Sequence, residues 1–494
     1  MNETTLLQSK AIKSGKWAFL ARFSQILGGS LVLLVLPYWL VPKDFGIITI
    51  FTSVLALILI LQQPGLMESI IQFESNPIKV RDSALWLSVF ISLILYLVVF
   101  ISSPIIEKFF NQKDFVFPFR IIALQIILLG FTNIPMAWFQ RNFLYKTYAI
   151  IQLVSSISMI MISILSAILG LGYWSYIYGV LGSAIIRLLL VICLSNWRPS
   201  LNLDLHLWGI ILKFGVFVLL EMILGWFLIW FDNVAVAKNL GSEAAGIYAL
   251  AFNIATTSIS LPLSAITGIT LPTFSRLQNN IEALRSAYFK GTKIIATFCI
   301  PAGIGLSIIG PTLINAIYPG RWAGLGVILS VLALYAGFGN LWILNTDAFK
   351  AIGKPQTMLK IYVPTVLIMI PLYWWGSKLG LFEFSIIRSF VVVISAIPHC
   401  YFAIKSLHLA TDYLWKIIYK PIIASIGMLL VVWPLNYGIT FLHFENNLYN
   451  IISVLLMIIF GVIIYSALIK RLDNSFMQEF LLLLKNALKK EIRI

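Results

Sequence analysis

Six ionisable side chains interrupt long apolar stretches of this 494-residue chain: Arg22, Arg120, Arg187, Arg388, Glu221 and Asp232. A charge held in hydrocarbon costs at least about 2.5–3.5 kcal/mol near mid-depth, so each needs a partner, a wet cavity or a route to the surface. Glu221 stands in Leu219-Leu220-Glu221-Met222-Ile223, about twelve residues into its stretch, too short to reach either surface. A polar cavity or proton coupling suits it, with a hydrogen-bonded structural glutamate as the alternative. Asp232 ends the same stretch, near water, and is a weaker candidate for coupling.

The planar guanidinium of arginine matches phosphate oxygens in a two-pronged geometry. Arg22 and Arg187 could point such a fork into a cavity, or snorkel to inner headgroups. Arg120 and Arg388, near the outer ends of their stretches, read as outer anchors or outer cavity residues. Asn133 and Asn340 add hydrogen-bonding groups that lipid would penalise and a wet interior would accept.

These residues need a membrane scaffold to position them. With 60% apolar residues, 11% charged residues and a mean hydropathy of +0.95, the composition lies far from that of a soluble domain. About fourteen stretches, from 17–40 to 449–469, are long enough to cross the bilayer as helices, so the expected fold is an all-α polytopic membrane protein. Short segments recur in order. Leu40–Ile47 aligns with Leu240–Ile247, Gly130–Ile134 with Gly337–Leu341, and Leu169–Leu171 with Leu379–Leu381. The offset drifts from 200 to 207 to 210, as small loop insertions would produce.

Six stretches separate equivalent points, so both copies start from the same face, which makes a parallel repeat. The expected domains are an N-terminal lobe of helices 1–6 (1–200), a C-terminal lobe of helices 7–12 (201–408), and helices 13–14 with an amphipathic tail (409–494). If the N-terminus is cytoplasmic, 25 of the 35 Lys and Arg fall inside and six outside. That bias places both termini in the cytoplasm. It also accounts for the +16 net charge without nucleic acid, since basic loops meet anionic lipid.

Several kinds of chemistry find no residues. Cys193, Cys299 and Cys400 are isolated, and four scattered histidines lack ligand spacing, so neither a disulfide framework nor a metal is expected. Phosphate-binding loops, nucleophile elbows and paired catalytic carboxylates are missing from the pattern, and no cofactor is expected. External links are short, the longest about a dozen residues, which leaves no room for a soluble catalytic domain. Transport is favoured over enzymology.

Gly15-Lys16-Trp17, Leu40–Gly46, Gln63-Pro64-Gly65-Leu66, Gly170–Ser175, Asn196-Trp197-Arg198-Pro199, Gly241–Tyr248, Leu271–Leu277 and Tyr318–Trp322 follow in order from residue 15 to about 355. In this the chain resembles Wzx-type polysaccharide or lipopolysaccharide exporters of the multidrug/oligosaccharidyl-lipid/polysaccharide superfamily. The resemblance implies two six-helix lobes with two extra C-terminal helices, in a bacterial cytoplasmic (inner) membrane. It implies a polyprenyl-pyrophosphate-linked glycan as substrate; such a polar group cannot cross hydrocarbon unaided, so alternating access through a wet cavity is the expected mechanism. Membrane lipid and polysaccharide assembly proteins are the implied partners. No family motif fixes Arg22, Arg187 or Glu221 as ligands, so these rest on burial alone. A cation-coupled multidrug antiporter of the same superfamily and a membrane glycan polymerase or ligase are the alternatives.

Overall fold

The structure is a computed structural model that describes residues 31–67, 77–195, 203–441 and 447–478, with isolated positions from 17 to 29 and at 70, 197 and 199–201. The described chain is helical throughout. Its helices are α1 (Pro42–Leu61), α2 (Pro77–Phe110), α3 (Val116–Arg141), α4 (Tyr145–Ile168), α5 (Trp174–Leu194) and α6 (Leu205–Arg276). Beyond these come α7 (Ile281–Ile317), α8 (Leu325–Gly339), α9 (Asn345–Ala351), α10 (Thr357–Gly376), α11 (Leu381–Leu407), α12 (Tyr413–Phe441) and α13 (Asn447–Leu472). Among the described residues, twelve helical segments are long and apolar enough to cross a membrane. The protein is a multi-pass membrane protein.

The difference from fourteen has a local cause. The first expected stretch, 17–40, is described continuously only from residue 31, and at isolated positions before it. Two others, 208–231 and 244–269, are two helices that meet at a kink at Gly241 (φ 88°, ψ 176°) and run together as α6. Its polar Lys238–Ser242 segment reads as a link in sequence, and the kink falls within it. Only the glycine, lacking a Cβ, leaves helical geometry there.

Polarity along the spans is inverted relative to a soluble protein. On α2, Leu93, Leu97, Ile101 and Ile105 are exposed at helical spacing, whereas Ser88, Ser92 and Ser103 are buried. Lipid is as apolar as leucine, so helices associate through close backbone approach and hydrogen bonds. Gly130 of α3 and Gly337 of α8, paired by the 207-residue offset, both sit at such approaches. A Cβ at Gly130 would come within 2.9 Å of Ser92 Cβ, and one at Gly337 within 2.9 Å of Gly303 Cα.

The chain forms two compact units, residues 1–250 and 251–494. Unit 1 packs α2 on α3, α4 on α5 and α3 on α5; unit 2 packs α7 on α8, α10 on α11 and α8 on α11. The same three pairings thus occur within each unit, in chain order. Both turns read from the sequence match use positive φ: Gly170 (78°) and Gly172 (54°) before α5, Gly380 (147°) before α11.

Within unit 1 the 200-residue match becomes a contact. A Cβ at Gly46 would overlap the Ser242 carbonyl oxygen, and a Cβ at Gly246 would overlap the Pro42 carbonyl oxygen. Residue 46 meets 242 while 246 meets 42, the reciprocal pattern of a two-fold axis. The start of α1 and the second half of α6 therefore cross backbone to backbone.

At the end of unit 2, Asp473 accepts ion pairs from Lys293 (2.6 Å) and Lys420 (3.0 Å) and is 6% exposed. Burial alone would raise its carboxyl, but the two ammonium groups outweigh it and hold the carboxyl below its ordinary 3.8. A depressed carboxylate contributes stability above its unfolded value and loses it as pH falls. Asp473→Ala should cost about 3 kcal/mol, because it leaves two ammonium groups facing one another. Melting curves of detergent-purified protein check this: acidification below about pH 4 should lower the wild-type midpoint more than the variant's. Equal acid sensitivity in both would refute the pairing.

Candidate functional site

In unit 1, α3, α4 and α5 meet at Met136, Phe139, Ile151 and Val191, with Tyr148 and Leu190 packed against them. One helical turn from this cluster stand Arg187 on α5 and Asn133 on α3, and Gln152 of α4 adjoins it, donating to the Tyr148 hydroxyl at 3.4 Å. Arg187 Nε, Asn133 Nδ2 and Ser155 Oγ are buried and have no hydrogen-bond partner among the described residues. Orphaned donors of this kind are rare, because each forfeits about 1–3 kcal/mol of solvation. They stand on three helices that pack on one another, which makes this bundle a candidate to receive an acceptor-rich, anionic group.

Glu221 lies on α6 and is exposed, between exposed Leu220 and Met222. The helix itself is anchored on both sides of it. Gly215 packs against the Pro64–Gly65 backbone, and Trp226 Nε1 donates to the Ser53 carbonyl at 2.9 Å. Gly65 has φ 63°, which explains the Gln63–Leu66 motif as a turn that receives α6. The glutamate is thus presented on a fixed helix.

The other candidates make definite structural contacts. Asp232 is 1% exposed and fully engaged: Asn233 donates to it through backbone N (2.8 Å) and Nδ2 (3.0 Å), and the Tyr248 hydroxyl donates at 2.7 Å. Tyr248 lies beyond Gly241, so this bond ties the two halves of α6 together across the break. Arg120 donates from Nε and Nη2 to the Phe100 carbonyl (3.1 and 2.9 Å) and from Nε to Ser103 Oγ (2.9 Å). Pro104, four residues after Phe100, has no N–H to give that carbonyl, and the arginine supplies the missing donor.

Arg388, 2% exposed, donates to the Tyr373 hydroxyl and lies over Tyr335 at 4.2 Å, Tyr373 at 5.2 Å and Phe252 at 5.4 Å. An aromatic cage stabilises a desolvated cation by about 2 kcal/mol. Asn340 Nδ2 donates to the Ala336 carbonyl of its own helix at 2.8 Å. Unit 1 therefore brings Arg187 and Asn133 to one bundle, while Arg388 and Asn340 belong to unit 2. Arg22 lies outside the described residues, as does most of the amphipathic tail.

Two polar assemblies escape hydropathy analysis. Asp82 on α2 binds Arg81 (3.1 Å), Trp197 Nε1 (2.9 Å), Ser200 N (3.1 Å) and Ser200 Oγ (2.5 Å), and the Arg81 guanidinium lies over Trp138 and Trp197. In unit 2, Asn345 accepts from the Tyr288 hydroxyl and donates to the His399 carbonyl at 3.2 Å, while the His399 ring stacks on Trp342 at 5.5 Å. The sequence signal for the first was the adjacent Arg-Asp pair beside a Trp-rich segment. For the second, buried Tyr, Asn and His on separate helices gave no local pattern.

Comparison with known proteins fits this architecture. A family model described as "Polysaccharide biosynthesis protein" matches residues 35–326. An "Uncharacterized membrane protein in cps region" of Klebsiella pneumoniae is 23% identical over 384 residues, covering 76% of this chain and 79% of that one. The lipopolysaccharide biosynthesis protein WzxC of Escherichia coli is 22% identical over 380 residues, covering 76% of each. Among solved structures, the lipid II flippase MurJ in an inward closed conformation has a TM-score of 0.70 at 16% identity, covering 92% of this chain and 99% of that one. An inward-facing multidrug resistance MATE family transporter of the MOP superfamily scores 0.62 at 17% identity, with 78% and 94% covered. These two likenesses establish the fold. With the family model spanning more than half of its length, the chain belongs to the polysaccharide biosynthesis protein family.

Proposed function

We propose that this protein flips a polyprenyl-pyrophosphate-linked oligosaccharide from the cytoplasmic to the outer leaflet by alternating access. Family membership supports the substrate class, and the orphaned Arg187 donor in the α3–α5 bundle is the observation that carries the site. Pyrophosphate is acceptor-rich and anionic, so it can satisfy Arg187 Nε and Asn133 Nδ2 together. Arg22 joins them in this reading, and within unit 2 Asn340 is a separate candidate for hydrogen bonds to the glycan. Glu221, exposed on a fixed helix, orients the site or couples transport to a cation, with Asp232 a second candidate for coupling. The polyprenyl chain stays in lipid, since no cavity is needed for what the bilayer already dissolves.

The protein acts as a transporter and not an enzyme in this scheme, with both termini on the cytoplasmic side of the inner membrane and beside polysaccharide assembly proteins. The 25 to six distribution of basic residues supports that orientation.

Deleting the gene should trap lipid-linked glycan on the cytoplasmic leaflet, measured by protection from an outside-added glycosidase. Re-expressed Arg187→Ala should restore export about ten- to a hundred-fold less well than wild type at matched protein level, the range expected for a lost charge-assisted bond. Arg187→Lys should recover only part, since a point charge does not reproduce the fork. Wild-type export by Arg187→Ala would remove the site assignment. Loss of surface glycan without the cytoplasmic build-up would remove the flipping reading itself.

A further inference from the structure

We propose that unit 2 carries a binding site for the headgroup of a zwitterionic phospholipid, one bearing both a phosphodiester and an ammonium group. A cavity of about 470 Å³ lies between the first turns of α7 and α12, lined by Glu282, Arg285, Ser286 and Phe289 from α7 and by Tyr413 and Lys416 from α12. Glu282, Arg285, Ser286 and Phe289 fall three or four residues apart, so they present one helix face. The linker residues Leu409 and Ala410 complete the cavity wall.

Three features point to phosphate. Two helices begin at the cavity, and a helix N-terminus carries about half a positive charge; in α7 Asn280 already caps Ala283 N at 3.0 Å, which leaves the charge but not that donor. Arg285 uses its Nε on the Leu407 carbonyl at 3.1 Å, which fixes the guanidinium, and its terminal nitrogens have no partner among the described residues. Lys416 adds a second cation at the rim, 2.7 Å from Asp412.

The carboxylates decide the headgroup. Glu282 lines the cavity, and Asp412 sits at the rim with Lys416. A purely anionic headgroup would meet two carboxylates as well as two cations. A headgroup that pairs phosphate with ammonium satisfies both signs at once. Phe289 and Leu409 supply apolar wall for the glycerol and first acyl carbons. Trp415, 64% exposed and stacked on Tyr419 at 6.0 Å, marks this level as a membrane interface, where tryptophan is enriched.

The test titrates detergent-purified, full-length protein with short-chain phosphatidylethanolamine, phosphatidylglycerol or inorganic phosphate, and reads the melting midpoint. Phosphatidylethanolamine should raise it saturably, and Arg285→Ala should raise the half-effect concentration about ten- to a hundred-fold. Because Arg285 also holds the Leu407 carbonyl, Ser286→Trp serves as an independent variant. It fills the cavity from an exposed position and leaves the arginine in place, and it should abolish the response. Glu282→Gln should reduce the preference for phosphatidylethanolamine over phosphatidylglycerol. An unchanged response in Ser286→Trp would overturn the site. An equal shift with inorganic phosphate would overturn the lipid, and an equal shift with phosphatidylglycerol would overturn the zwitterionic assignment.

Discussion

Gly46→Val is expected to leave almost no folded protein in the membrane, and Gly246→Val should do the same. Inserting carbon into a packed core ordinarily costs about 1–3 kcal/mol, because side chains around it can shift. Here the obstacle is main chain: the Ser242 carbonyl at Gly46, and the Pro42 carbonyl and Gly46 nitrogen at Gly246. Main chain inside two helices yields only if the crossing opens, so the cost should exceed that range. Two controls separate crowding from mere loss of glycine. Gly225 has nothing within 4 Å of a built Cβ, and Gly225→Ala should be neutral or slightly stabilising, by about 0.5–1 kcal/mol in a helix interior. Gly241→Ala also meets no atom, yet its φ of 88° is strained for an L-residue and should cost about 1–3 kcal/mol. Yield and monodispersity of detergent extracts give the ranking. Recovery of Gly46→Val at wild-type level would mean the two helices do not touch as described.

The crossing also shows what the sequence carries and what it hides. Gly46 and Gly246 stand out in sequence only as matched letters in two polar links; nothing in either link says that each touches the other's counterpart. Hydropathy finds the helices because a bilayer demands long apolar runs, and it finds the repeat because the turns reuse glycine at Gly170 and Gly380. It also separates the two helices of α6, since Lys238 and Asn239 lower the window average just before the kink at Gly241. Arg120 illustrates the same limit at one residue. Sequence position makes it an outer anchor or cavity residue, and only the backbone geometry at Pro104 reveals the carbonyl it serves. Arg187 was legible as a buried charge, whereas its orphaned Nε and its bundle with Asn133 depend on which helix faces meet. Pairing between distant helices is a property of packing, and composition windows do not contain it.

Asp82→Ala should be the most damaging change at a charged residue, and it tests how the glutamate-bearing helix is held. Asp82 takes hydrogen bonds from Arg81, Trp197 and both donors of Ser200. One turn either side, α2 makes further bonds to the segment that leads into α6. Lys79 pairs with Asp204 at 3.2 Å, Trp86 Nε1 donates to the Ser200 carbonyl at 2.9 Å, and Trp208 Nε1 donates to the Ser83 carbonyl at 3.0 Å. Asp204 caps α6, accepting from His206 N and Leu207 N at 3.1 Å. This clamp fixes where α6 begins, and through it the height at which Glu221 is presented. Removing Asp82 leaves Arg81, 8% exposed, without its carboxylate between two tryptophans, and breaking a buried pair in this way costs about 3–5 kcal/mol. Asp82→Asn keeps the shape and some acceptors but loses the charge, and should fall between wild type and alanine. The useful measurement is a pair: melting midpoint in detergent, and glycan export at a permissive temperature where the protein still accumulates. If the clamp positions α6, export should fall further than protein level in Asp82→Asn. Export that simply tracks the amount of folded protein would make Asp82 a stability residue with no part in presenting Glu221.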